Sequence, residues 1–297
     1  MNRKLLTVLA VVLLIVGLTM LIAPRISNRV GEQIAHTTIE DFKALKSKAT
    51  SDEPTEKKDS SDDSPPNTNP AADSSKSDHD PDWQIEDKES YIESGELSDS
   101  ITKVDFDRLY SDSIMYNENL KKHQHELLTN EQSYQSPALN LSRYGITSGV
   151  YGYISAPSIG LELPIYLGGN DDNMALGAAH MTYTSLPIGG KSTNCVLSGH
   201  SGYIGRIFFD YIPSLNIGDE ITVENYWNTL TYKVIDKQIH KKDESADCYI
   251  TEGRDLLTLI TCVSNGHGGF DRFYLICEQR PDQRQANRSS FTEIRRH

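Results

Sequence analysis

Leu256-Leu257-Thr258-Leu259-Ile260-Thr261-Cys262 is an apolar and β-branched run that stops at a cysteine. Such composition over so short a length marks a strand. Val263 then leads into Ser264-Asn265-Gly266-His267-Gly268-Gly269, a segment with loop composition. A cysteine in the middle of a buried strand is ordinarily an inert core residue. One at a strand exit, beside a ligand-accessible loop, can present its thiolate to a carbonyl. Ten residues on, Phe270-Asp271-Arg272-Phe273-Tyr274-Leu275-Ile276 sets an arginine inside another apolar run. Upstream, Cys195-Val196-Leu197-Ser198 empties into Gly199-His200-Ser201-Gly202. Three strand-like runs thus place Cys262, His200 and Arg272 at strand ends or starts. Nucleophilic acyl transfer needs that set: a thiolate to attack, an imidazole to pass a proton to the leaving amine, and a fixed cation for the developing negative charge.

Other residues compete for these roles. His267 lies in the Gly-rich loop after the cysteine, His180 in Gly177-Ala178-Ala179-His180, and His240 in a Lys-rich stretch where it reads as solvated. The Thr261 hydroxyl is placed to bond substrate or to settle the turn. The small residues around His200 leave room for close backbone approach, as a substrate groove requires.

From about Val150 the chain has β texture. Tyr151 to Pro157, Leu161 to Leu167, Thr193 to Ser198, Glu220 to Tyr226, Leu230 to Asp236, Leu256 to Cys262 and Phe273 to Glu278 alternate or form short apolar runs, and Trp227-Asn228-Thr229 signals a hairpin. About eight short strands between residues 150 and 280 predict a mainly β fold, a closed or nearly closed barrel with short helices. Ser98 to about Asn130 shows helical spacing, with Val104, Phe106, Leu109, Tyr110, Ile114, Leu120, Leu127 and Leu128 on one broad face and Asp99 or Ser100 as the cap. Residues 98–149 read as a helical extension that continues into a loop over 131–149. Residues 281–297 are a polar tail.

At the other end, Met1 to Lys4 is short and basic, and Leu5 to Ala23 carries no charge at all. A run of about 20 apolar residues spans a bilayer. A cleaved signal peptide would have a shorter apolar region and a small-x-small site, whereas Pro24-Arg25 follows here. The expectation is an uncleaved transmembrane anchor with the C-terminal bulk outside. Residues 24–97 read as an acidic linker, interrupted by a short amphipathic helix between Glu32 and Lys48 and disordered from Ser51. It would act as a solvated stalk, or as a docking site for a basic partner.

Acidic residues outnumber basic ones 42 to 29, for a formal net charge of −13. That balance argues against a nucleic-acid binder, which would show a basic patch. The four cysteines, Cys195, Cys248, Cys262 and Cys277, include no C-x-x-C pair, and no Cys/His cluster has zinc-ligand spacing. Neither a metal nor another cofactor is expected. One disulfide among Cys195, Cys248 and Cys277 stays open.

Thr258-Leu259-Ile260-Thr261-Cys262, with Gly199-His200 upstream and Arg272 downstream, resembles the sortases, membrane-anchored cysteine transpeptidases of Gram-positive cell surfaces. Ile165-Tyr166-Leu167-Gly168-Gly169, Asn173 to His180 and Thr184 to Gly190 agree, the last looking most like the class C, pilin-polymerising members. The resemblance covers about Val150 to Glu278. It implies catalysis by His200, Cys262 and Arg272, substrate contacts from Thr261, Ser201 and His180, and an L-P-x-T-G-like sorting signal as substrate. Its partners would be surface proteins or pilins carrying that signal, and an amine acceptor, either a pilin lysine or a cell-wall precursor. It also implies a lid before the barrel, for which Tyr134 and Pro137 are the candidates. The chain departs from the class C pattern at Ser201, usually Arg, at Val263-Ser264-Asn265-Gly266, usually Pro-Tyr-Gly, and at 132–138, which lacks an Asp-Pro pair. The other readings of the residues are anchoring of single proteins to the wall, a catalytically silent peptide-binding module, and a hydrolase.

Overall fold

The computed structural model describes residues 3–51, 104–127, 133–203, 206–241 and 248–279. Most of the acidic segment, residues Asp99 and Ser100, and the polar tail lie outside them.

Eight strands close into one barrel: β1 (Val150–Ala156), β2 (Leu161–Leu167), β3 (Ala178–His180), β4 (Thr193–Ser198), β5 (Glu220–Asn225), β6 (Thr229–His240), β7 (Asp255–Ser264) and β8 (Phe270–Gln279). Around the barrel they run β1-β2-β3-β4-β7-β8-β6-β5. The β2–β3 and β4–β7 pairs are parallel, and the other pairs are antiparallel. The parallel β4–β7 pair matters most, because it joins the histidine strand to the cysteine strand without an intervening hairpin.

Alternation divides the strands. Leu257, Leu259, Phe273, Leu275 and Cys277 join Ile154, Ile165, Leu197, Ile221 and Val223 in the main core. The intervening Ile260 and Tyr274 instead cluster with Val196 and Cys248, with Met181 packed against them. Side chains two apart on a strand share a face, so Cys262 stands on the face of Ile260, outside the main core.

Two helices pack on the barrel. Helix α2 (Phe106–Leu127) starts where Asp105 caps it, its carboxylate accepting from the Arg108 N–H at 3.0 Å. The helix therefore begins after the Asp99 or Ser100 start expected from the sequence. Its buried face is Leu109, Ser113, Tyr116, Asn117, Leu120 and Gln124. Gln124 ties it to the loop before β7, donating to the Cys248 carbonyl and accepting from the Ile250 N–H.

Helix α1 runs unbroken from Arg3 to Ser51. The expected linker from residue 24 is thus helical over its first part. The reason is burial: Ala35, Ile39 and Phe42 lie one turn apart and all are buried. The Phe42 ring packs against Tyr226 at 4.6 Å and Tyr153 at 5.8 Å. Lys46 pairs with Glu224 at 2.9 Å, and Tyr153 donates to the other oxygen of that carboxylate at 2.6 Å. Among the described residues, no helix is long and apolar enough to cross a membrane.

All four cysteines are free, so the disulfide left open by the sequence is not formed. Burial pushes the Cys195 and Cys277 thiols well up, which leaves them inert. Cys262 is the half-buried one.

Candidate active site

The site is built where β4, β7 and β8 end side by side. In the parallel pair Ser198 stands level with Ile260, so two residues further along each chain His200 reaches the level of Cys262. In the antiparallel pair Cys262 and Arg272 are directly opposed. Direct cross-strand neighbours share a face at short range. The Arg272 Nη1 donates to Cys262 Sγ at 2.6 Å. A guanidinium in that position holds the sulfur and can donate to an oxyanion formed beside it.

His200 is held by its backbone and by rings. The Gly199 N–H donates to the Ile260 carbonyl at 3.1 Å, and the Phe209 N–H to the His200 carbonyl at 2.9 Å. A Cβ on Gly199 would lie 2.7 Å from the Phe209 ring, so a residue with a side chain could not stand there unless that buried aromatic moved. Tyr203 stacks on the imidazole at 5.1 Å between centroids, and Phe208 meets it edge-on at 6.2 Å. Asp210 closes the loop, accepting from the Gly202 and Phe208 N–H groups at 2.7 and 2.9 Å.

The expected substrate contacts are placed differently. The Thr261 hydroxyl is buried and donates to the Gly199 carbonyl at 2.9 Å. Thr261 therefore ties the segment that carries His200 to β7. The Ser201 hydroxyl donates to the Cys262 carbonyl, a second stitch between the two strand ends. His180 is fully buried, with Nε2 3.1 Å from the Ser185 carbonyl. Burial pushes its pKa down to about 4, which keeps the ring neutral at ordinary pH. The seat of Tyr134 and Pro137 is the β2 exit: the Tyr134 carbonyl accepts from Gly169 and Thr182, the Ser136 carbonyl accepts from the Thr182 hydroxyl, and Pro137 packs on Gly168.

Of the competing histidines, His267 is exposed in the β7–β8 loop, which Asn265 closes by accepting from the His267 and Gly269 N–H groups. His240 is half-buried, directly opposite Arg272 on β6, and its Nε2 lies 2.7 Å from Gln238. Sequence reasoning missed Tyr203, Phe208 and Asp210. Their signal was the aromatic-acid run Phe208-Phe209-Asp210-Tyr211 closely following the histidine. Among the described residues no cluster of His, Cys, Asp and Glu is disposed to hold a metal ion.

A nucleophile, a guanidinium on its sulfur and a framed imidazole at its level form an arrangement able to make and break a thioester. Residues 154–279 match the sortase domain family. Over 117 residues the chain is 36% identical to sortase A of Bacillus anthracis, covering 39% of this chain and 53% of that protein. Over 135 residues it is 26% identical to sortase D of Bacillus subtilis strain 168, covering 45% and 65%. The chain thus spans between about half and two thirds of the length of these curated relatives. Among solved structures it is similar to Streptococcus agalactiae sortase C1 in complex with MTSET (26% identity, TM-score 0.52, 61% of this chain and 94% of that one). It is also similar to the pilus-related sortase C of Group B Streptococcus (29%, 0.51, 60% and 90%) and to sortase C-1 of Streptococcus pneumoniae (26%, 0.52, 60% and 90%).

Proposed function

We propose, from the match of residues 154–279 to the sortase domain family, that this chain is a cysteine transpeptidase whose reacting groups are Cys262, His200 and Arg272. The Cys262 thiolate attacks the Thr carbonyl of an L-P-x-T-G-like signal. Arg272 holds the oxyanion that forms, since it already touches the sulfur. His200 gives its proton to the amine of the departing Gly, the C–N bond breaks, and a thioester remains on Cys262. An incoming amine then loses a proton to His200 and attacks the same carbonyl. The C–S bond breaks, a new amide forms, and the thiolate is restored.

The observation that carries this reading is the 2.6 Å contact between Arg272 and Cys262, beside the segment after β4 whose Ser201 hydroxyl bonds the Cys262 carbonyl. The test is mass spectrometry of the purified protein with signal peptides, with and without added amines. The expected result is an adduct on Cys262 that amines discharge as new amides. A Cys262→Ala protein that retained the whole activity would leave only peptide binding.

Pilin polymerisation is the favoured outcome, supported by the pilus-related sortase C among the similar structures. The acceptor is then a pilin lysine, and the product a ladder of covalent polymers; anchoring to the wall would give one wall-linked species. We also assign the uncharged run Leu5–Ala23 to a membrane anchor, with the barrel on the outer face. Supporting this, residues 11–20 of α1 are exposed throughout and nearly all apolar, which water does not favour. Residues 52–97 are assigned to a spacer.

A further inference from the structure

Arg206 is 9% exposed, yet among the described residues no carboxylate pairs with it. Its Nη1 donates to the Ala175 carbonyl at 3.2 Å, and its buried Nε has no partner. The guanidinium lies 5.1 Å from the centre of the Phe208 ring. Buried cations are ordinarily paired, because taking one out of water is costly. Burial alone already lowers its pKa from the ordinary value. A guanidinium has five N–H donors, and this one satisfies a single backbone carbonyl.

Its position gives the missing partner a role. Across the sheet the order is β3, β4, β7, β8. Arg272 on β8 flanks Cys262 on one side, and His200 after β4 flanks it on the other. Arg206 contacts Ala175, just before β3, and shares the Phe208 ring with His200. If His200 serves both the departing and the incoming amine, the amine partner occupies the His200 side of the sulfur. Exposed Tyr203 and Leu176, at 44% each, leave apolar surface on the same side.

We infer that Arg206 forms an acceptor subsite that binds a carboxylate carried by the incoming amine, by the forked hydrogen bonds a guanidinium makes to that group. This rests on the transpeptidase reading above. No bond is made or broken at Arg206; it positions the nucleophile.

The test uses the full chain, a signal peptide, and acceptors differing only in the carboxylate: Nα-acetyl-lysine against its carboxamide, and triglycine against triglycinamide. The first pair reports a side-chain amine with a free carboxylate at the other end of the same residue, which a lysine inside a pilin chain lacks; the second reports an amine and a terminal carboxylate further apart. The readout is the ratio of acceptor kcat/KM within each pair. We expect the carboxylate to be preferred about tenfold or more in one pair, which names the source. The ratio should fall to about one in Arg206→Gln, whatever its absolute rate, and stay above one in Arg206→Lys. A ratio near one in the unaltered protein for both pairs overturns the inference, and so does a ratio that Arg206→Gln leaves intact. Should Arg206→Gln fail to fold, the Arg206→Lys ratio decides: one equal to that of the unaltered protein counts against the subsite. Signal-peptide adduct formation without any amine reports the transpeptidase reading separately. If no adduct forms, calorimetric titration of the same acceptor pairs decides: selective carboxylate binding keeps the subsite, and equal binding removes it.

Discussion

Arg272 stands directly across the β7–β8 pair from Cys262 and donates to its sulfur at 2.6 Å. One side chain can therefore orient the sulfur before attack and meet the oxyanion after it. Lysine would keep the charge but not the planar fork. Arg272→Lys is expected to lower kcat/KM for a signal peptide by roughly 100-fold or more, the scale for losing one oxyanion donor. Steady-state cleavage kinetics, with iodoacetamide alkylation of Cys262 measured alongside, check both halves: alkylation should slow as well.

The Thr261 hydroxyl bonds the Gly199 carbonyl in a buried setting. Thr261→Val keeps the shape and strands that carbonyl. The expected cost is about 1–3 kcal/mol of stability, accompanied by a loss in kcat because His200 follows Gly199. Urea unfolding and kcat measured on the same preparation check it; a stability loss with kcat intact would separate Thr261 from the site.

His180 supplies a pH dependence. Its imidazole is pushed down to about 4 from an ordinary 6.5 by burial. Between those values the unfolded chain holds the extra proton. This contribution is complete above pH 6.5 and is lost as the pH falls towards 4, amounting to roughly 3 kcal/mol at most. Melting temperature against pH for the unaltered protein and His180→Asn checks it: the variant's curve should be flatter over that window.

Phe42 pins α1 between Tyr153 and Tyr226. Phe42→Ala is expected to cost about 3 kcal/mol and to speed hydrogen exchange at residues 35–46, with kcat for peptide cleavage unchanged. Amide exchange by mass spectrometry reads the helix directly.

Gly168 has a φ of +99°, and a Cβ there would lie 2.6 Å from the Gln135 carbonyl. Gly168→Ala should therefore dislodge residues 133–137. If that segment acts as a lid, Cys262 alkylation speeds up; an unchanged rate, there and on deletion of residues 130–141, removes the lid from the account.

Strand alternation made the eight-stranded barrel legible, because a side-chain period of two survives in a single sequence wherever one face is buried. The cysteine, histidine and arginine were visible for a related reason: each sits where an apolar run gives way to small or polar residues. The docking of α1 was hidden. Its stripe is only Ala35, Ile39 and Phe42, and the rings it meets at 153 and 226 are more than a hundred positions away. The internal partners of His180 and Thr261 were not legible, because sequence shows the polarity of a residue but not whether its partner is already inside the fold. Arg206 was invisible for the converse reason: its significance lies in a partner that is missing.

Among the described residues, closure of the sheet into a ring leaves no open edge strand along which an extended peptide could add as a further strand. A bound polypeptide consequently has no main-chain ladder to set its alignment. Frame selection must fall to side-chain pockets and the loops around the rim, so exchanging those loops should retarget the protein while the staves of the cask stay as they are.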